Sequence, residues 1–146
     1  MLSLERIKSI IPHRDPMLMV DEADDPDFEN LHITGRKHVT GEEELLHGHF
    51  PGHAVMPGVM MIESLAQLGA VLVLSMEKFK GKLAVLGGVD RVKFRNMVHP
   101  GDVMDLDVQI EKLKGFAGIG HGKASVNGKL VCEGTITFFI IDPAKA

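Results

Sequence analysis

The run Val59-Met60-Met61-Ile62-Glu63-Ser64-Leu65-Ala66-Gln67-Leu68-Gly69-Ala70-Val71-Leu72-Val73-Leu74-Ser75-Met76 is almost continuously apolar, built of helix-compatible residues and free of proline. It predicts a helix roughly 27 Å long at about 1.5 Å per residue. Apolar residues lie on every side of that helix, so it should be enclosed rather than laid on a surface. The run is barely long enough to cross a bilayer and carries Glu63, Ser64 and Gln67. A buried helix in a soluble protein therefore fits better than a membrane span.

Downstream of Gly81 the pattern is strands to the end. Leu83–Phe94 is one candidate, broken by Gly87-Gly88. Met104, Leu106, Val108 and Ile110 alternate with Asp105, Asp107 and Gln109, the clearest strand in the chain. Phe116–Val126 and Leu130–Ile141 flank Asn127-Gly128, a two-residue hairpin signal. Upstream, Ser3 can cap a short helix with Leu4, Ile7 and Ile11 on one face and Pro12 at its end. Leu18–Ala23 reads as a strand, Asp24-Asp25-Pro26-Asp27 as a turn, and Leu31–Val39 as a second alternating strand. One long buried helix among five or six mostly antiparallel strands is an α+β arrangement. The economical packing is a curved sheet wrapped around the helix.

The 146 residues fit one domain, residues 1–146, and 45% apolar residues suffice for one core. A net charge of −4 argues against nucleic-acid binding. The single cysteine, Cys132, excludes an internal disulfide and reads as a buried, unreactive thiol in a reducing compartment. The start, Met-Leu-Ser-Leu-Glu-Arg, has no apolar h-region, so no secretory signal is expected.

Chemistry concentrates where a loop rich in Gly and Pro, His47–Pro57, enters the helix. Gly58 lets a ligand approach the backbone, and the unpaired N–H groups of the first helical turn can hold a developing negative oxygen. Pro57-Gly58 would also serve simply to start a helix. Glu63 is costly to bury without a partner or a function, and Gln67, four residues on, shares its face. An exposed stripe on an otherwise buried helix would account for both as well. His47, His49 and His53 lack a companion cysteine or carboxylate at familiar spacing, so no metal is expected. A histidine as general base fits better, because its ordinary pKa lies near neutrality. No serine or cysteine sits in a nucleophile motif.

The chain resembles the β-hydroxyacyl-acyl carrier protein dehydratases of bacterial type II fatty acid synthesis, in their FabZ-type branch. The matching residues run in order from Pro12-His13-Arg14 through Gly48-His49-Phe50-Pro51-Gly52, Met56-Pro57-Gly58-Val59 and Glu63-Ser64-Leu65-Ala66-Gln67. They continue with Val89-Asp90, Lys93-Phe94-Arg95, Val98-His99-Pro100-Gly101-Asp102 and Gly128-Lys129-Leu130-Val131-Cys132-Glu133. The resemblance implies the hot-dog fold and dehydration of a (3R)-hydroxyacyl-acyl carrier protein to the trans-2-enoyl thioester, in the cytoplasm and without a cofactor. It implies His49 and Glu63 as the catalytic pair, with Gly58, Gln67, Phe50 and Val59 on the substrate. It further implies a homodimer whose sites each take the histidine and the carboxylate from different protomers, assembled into a trimer of dimers. A related branch that also isomerises has aspartate in place of Glu63, so dehydration alone is expected here.

Some residues depart from the family pattern. The chain has no tyrosine to gate the acyl tunnel, which leaves Leu83, Val85 or Phe79 to close it. Asn96-Met97 stands where Arg-Pro is common, and Ala54 replaces a frequent proline. An acidic carrier would favour a basic rim. Arg91, Lys93 and Arg95 should share a strand face with Val92 and Phe94 pointing inward, and Lys78, Lys80 and Lys82 form a second cluster. A solvated surface explains both clusters equally well. Two other functions remain open on the sequence: a thioesterase of the same fold, and a non-catalytic acyl-binding protein.

Overall fold

The structure is a computed structural model that describes residues 1–43, 46 and 55–145. Helix α1 spans Leu4–Ile10, and the Ser3 hydroxyl caps it by accepting from the Arg6 N–H. Ile7 and Ile11 are buried beneath it, as the spacing predicts. Strands β1 (Glu22–Ala23) and β2 (His32–His38) precede the long helix α2 (Gly58–Leu74). A 3-10 turn at Glu77–Phe79 leads to β3 (Leu83–Phe94), β4 (Val103–Lys114), β5 (Ala117–Val126) and β6 (Lys129–Ile141).

The strands form one sheet in the order β1-β2-β4-β5-β6-β3, antiparallel at every pairing. The sheet curves around α2, which is the hot-dog arrangement. A row of glycines explains how the helix lies so close. Ile62 crosses over Gly134 on β6, Leu65 over Gly122 on β5, and Leu68 over Gly35 on β2. A Cβ on Gly122 or Gly35 would come to 3.1 or 2.9 Å from the helix side chains, so larger residues there would press against α2. On Gly134 it would stand at an ordinary 3.5 Å from Ile62 but 2.9 Å from Val92 of β3. Leu65, Leu68, Val71 and Leu72 are fully buried along this crossing. Each such side chain contributes about 1.5–3 kcal/mol relative to exposure.

The hairpin read from Asn127-Gly128 is present, with both residues at positive φ (51° and 80°) as a two-residue turn of that type requires. Two local expectations are corrected. Leu18–Ala23 is a strand only at Glu22–Ala23, because the Met19 N–H donates to a side chain on α2 instead of to a neighbouring strand. Gly87-Gly88 does not break β3. The pairing slips there from Leu86↔Phe138 to Gly88↔Thr137, leaving Gly87 as the extra residue of a bulge under the ring of Phe139. A second slip lies between Asp90 and Lys93, with Arg91 at φ 54°. Arg91, Lys93 and Arg95 are nevertheless exposed and Val92 packs against the core, as the alternation expects. Phe94, the last residue of the strand, turns its ring to the start of α2 at Gly58 but stays 52% exposed.

No described helix is long and apolar enough to cross a membrane.

Candidate active site

Gln67 is 1% exposed, and every polar atom of its amide is used. Its Oε1 accepts from the Met19 N–H at 2.7 Å, and its Nε2 donates to the Met17 carbonyl at 2.6 Å. These main-chain contacts fix which end of the amide points where. The remaining Nε2 hydrogen is then directed at Glu63 Oε2, 2.7 Å away. The i, i+4 spacing anticipated this pair. An exposed stripe does not describe it, since Glu63 is largely covered and Gln67 is buried.

A third group joins them. His13 Nε2 lies 3.5 Å from the same Glu63 oxygen. Its Nδ1 is buried with no hydrogen-bond partner among the described residues. Arg14 holds this corner by donating to the carbonyls of Lys8, Ile11 and His13, which pins the end of α1. The segment from Ile11 to Val20 is thus a strap over α2 that approaches the Glu63 carboxylate through His13 and holds the Gln67 amide through Met17 and Met19. Residue-level reasoning on the sequence missed this role for His13. The only signal for it was the Pro12-His13-Arg14 motif.

His13, Glu63 and Gln67 stand at one side of a groove between the flank of α2 and the concave face of the sheet. Beyond them the lining is small or apolar and includes Ala66, Ala70, Ala84, Gly120, Ile136 and Phe138. A carboxylate with two nitrogen neighbours beside an apolar groove suits a substrate that combines a polar reacting centre with a hydrocarbon tail. Of the residues expected to close the tunnel, Val85 lines the groove. Phe79 does not. It is buried against Phe116, with ring centroids 6.2 Å apart.

At the start of α2 no side chain caps Pro57. The first-turn N–H groups at Gly58 and Val59 are donors of the kind a helix cannot satisfy internally. A Cβ on Gly58 would lie 3.0 Å from the Phe94 ring, so glycine here admits that ring against the helix start. Val59 is largely exposed beside it.

His49 and Phe50 lie outside the described residues, as do His47 and His53. Among the described residues no group of three or more His, Cys, Asp and Glu is placed to hold a metal. The chain is anchored just before that segment. Lys37 is buried, with Nζ 3.4 Å from Glu43 and 3.7 Å from Asp21. Burial works to raise the Glu43 carboxyl, but the N–H groups of Thr40 and Gly41, together with Lys37, hold it below its ordinary range.

Residues 11–135 match the family model of the FabA-like domain. The 3-hydroxyacyl-[acyl-carrier-protein] dehydratase FabZ of Clostridium acetobutylicum is 52% identical over 140 residues, covering 96% of this chain and 99% of that protein. The enzyme of the same name from Enterococcus faecalis is 48% identical over 139 residues, covering 95% and 98%. Among solved structures, the dehydratase heterocomplex ApeI:P from Xenorhabdus doucetiae superimposes with a TM-score of 0.80 at 20% identity, over 94% of this chain and 92% of that one. A hypothetical thioesterase with coenzyme A from Streptococcus pneumoniae gives 0.64 at 14% identity, over 83% and 85%. At such identities these two likenesses speak to the fold alone.

Proposed function

The chain belongs to the FabA-like family, and from that membership, with FabZ relatives near 50% identity over almost its whole length, we propose that it is a 3-hydroxyacyl-[acyl-carrier-protein] dehydratase of fatty acid synthesis working by histidine–glutamate acid–base chemistry. The observation that carries the chemical part is the fixed amide of Gln67, which presents an N–H to Glu63 at the side of an apolar groove.

In this reading the hydrocarbon tail of the (3R)-hydroxyacyl group lies in the groove and the thioester carbonyl accepts from the Gly58 N–H. Phe50 and Val59 flank the substrate. His49 takes the proton from the carbon next to the carbonyl, and negative charge builds on the carbonyl oxygen, where the helix N-terminus stabilises it. Protonated Glu63 gives its proton to the departing hydroxyl, directly or through a water held with Gln67. The C–O bond breaks, water leaves, and the trans-2-enoyl thioester remains. Return of the proton from His49 to Glu63 resets the site. No cofactor enters these steps.

The site is completed by a second copy of the chain. β3 ends the sheet with twelve residues whose outer edge nothing covers among the described residues. Val85, Leu86, Val89 and Phe94 are exposed along it. A long apolar edge invites pairing, and a dimer formed there agrees with the family expectation that each site takes its histidine and its carboxylate from different protomers. Three such dimers give the family's larger assembly. The other partner is an acyl carrier protein in the cytoplasm, and no nucleic acid or membrane is involved. Exposed Lys93 suits an acidic carrier, whereas Arg91 and Arg95 are each partly neutralised, by Asp90 at 3.9 Å and by Glu133 at 3.1 Å.

The test is the Glu63→Gln variant, checked for correct folding. Enoyl absorbance from a 3-hydroxyacyl-carrier substrate should fall by on the order of a thousandfold. Full activity would remove Glu63 from the reaction. Release of free carrier thiol without enoyl product would mean a thioesterase.

A further inference from the structure

Phe138 lies across the groove from Glu63. α2 crosses β6 at Gly134, opposite Ile62. Phe138 is four residues further along that strand, roughly 13 Å away and on the same face. Its side chain is buried and lines the groove. The ring lies flat against its neighbour on β5. Gly118 is the register partner of Phe138, and a Cβ there would meet ring atoms at 2.2, 2.7 and 2.8 Å. Gly118 sits within a regular strand, so its backbone would accept alanine. The nearest obstacle to that Cβ is the ring.

We propose that Phe138, seated on Gly118, is the far wall of the acyl groove and sets the longest hydrocarbon tail that this chain accepts. This rests on the dehydratase reading and deepens it. Between Glu63 and Phe138 the walls combine small residues, among them Ala66, Gly69, Ala70, Ala84 and Gly120, with aliphatic ones such as Leu65, Leu86 and Val108. A straight chain entering beside Glu63 therefore meets no comparably bulky aromatic obstacle before the ring. Ile110 and Ile136 also line the space and share the core cluster with Phe138. Phe138 differs in size and in how closely it sits on its glycine: a Cβ on Gly118 would meet the ring at 2.2 Å, whereas one on Gly120 would lie 3.0 Å from Ile110. Two substitutions should then act in opposite directions. Phe138→Ala opens the wall. Gly118→Ala drives the ring off β5 and into the groove.

The experiment measures kcat/KM for a series of straight-chain 3-hydroxyacyl-carrier substrates from short to long. It uses the native chain, Phe138→Ala, the milder Phe138→Leu, and Gly118→Ala. The quantity read is the long-to-short ratio within each variant, which does not depend on the fraction of protein that folds. One methylene in an apolar pocket is worth roughly tenfold or more in discrimination. The ratio should therefore rise about tenfold in Phe138→Ala, rise less in Phe138→Leu, and fall about tenfold in Gly118→Ala. Ratios that stay within twofold of native, or that move together in one direction, would overturn the assignment of Phe138. If the native chain makes no enoyl product at any length, it is the dehydratase reading that fails.

Discussion

The two edges of the sheet are finished in different ways. At the β1–β2 edge the outer strand is two residues long, and its flank is covered by charge. Arg36 bonds Glu22 at 2.8 Å and Asp24 at 2.9 Å, the Thr34 hydroxyl donates to Asp24, and the Met1 ammonium pairs with Asp25 at 2.8 Å. At the other edge β3 runs for twelve residues, with Leu86 50% and Val89 49% exposed. A short, charged edge refuses another strand, and a long apolar one accepts it. The contrast is that one side of the molecule is finished in the single chain and the other is left open, which is what the proposed pairing with a second copy uses.

The sharpest way to break this comparison is to place charge on the open edge. Leu86→Asp should leave a monomer by sedimentation. It should also cut turnover on the order of a hundredfold or more, since a displaced catalytic group costs at least that much. A fully active monomer would mean that the open edge has no part in the site.

Between the edges lies the strap that fixes Gln67. Gln67→Leu leaves the Met19 N–H and the Met17 carbonyl without their partner. Each buried polar group so abandoned costs about 1–3 kcal/mol. Thermal unfolding should drop accordingly, and turnover should fall by more than the loss of folded protein explains. Unchanged turnover per folded molecule would confine Gln67 to a structural role.

Smaller effects are expected at the closed edge. Arg36 and the Thr34 hydroxyl hold Asp24 below its ordinary range, and Arg36 and His38 do the same for Glu22. Carboxyls lowered in the fold contribute stability above their unfolded pKa, near 4, and lose it as pH falls through the lowered folded values. Arg36→Ala should lower the melting temperature by no more than about 4 °C at pH 7. It should flatten the acid side of the stability curve and leave the oligomeric state unchanged. A change of oligomer would show that this edge is an interface after all.

The smallest effect concerns Cys132, buried opposite Phe94 of β3. Burial, with Glu133 nearby, pushes its thiol up to about 11. The raised folded value means that its contribution is complete below the unfolded pKa and is lost as pH rises toward 11. At pH 8 a thiol reagent should label it only as fast as the protein opens. Rapid labelling of native protein would mean that β3 leaves β6 easily.

The sequence was most legible where the physical cause is local. An all-round apolar run without proline, interrupted by Glu63, Ser64 and Gln67, read best as a buried helix, alternation revealed β4, and Asn127-Gly128 supplied the turn. The Glu63–Gln67 contact followed from helical spacing. Legibility failed where a distant group decides. Met19 sits in an apolar run that looks like a strand, but its N–H goes to an amide 48 residues away. Phe94 looks like a buried strand residue, and its ring does turn to the start of α2, but at the strand's end it stays half exposed. His13 meets Glu63 across fifty residues, and no periodicity announces such a contact. For His49 and Phe50, resemblance to the family is the whole basis of the assignment.

The most direct measurement mixes two inactive variants. His49→Ala and Glu63→Gln are each assayed alone, then unfolded together and refolded as a mixture. If each site takes its histidine and its glutamate from different protomers of a two-fold dimer, a mixed dimer carries one intact site. Random pairing should then restore about a quarter of native turnover. Sites built within one chain would recover nothing, and a mixture as inactive as its two parents would contradict the shared site.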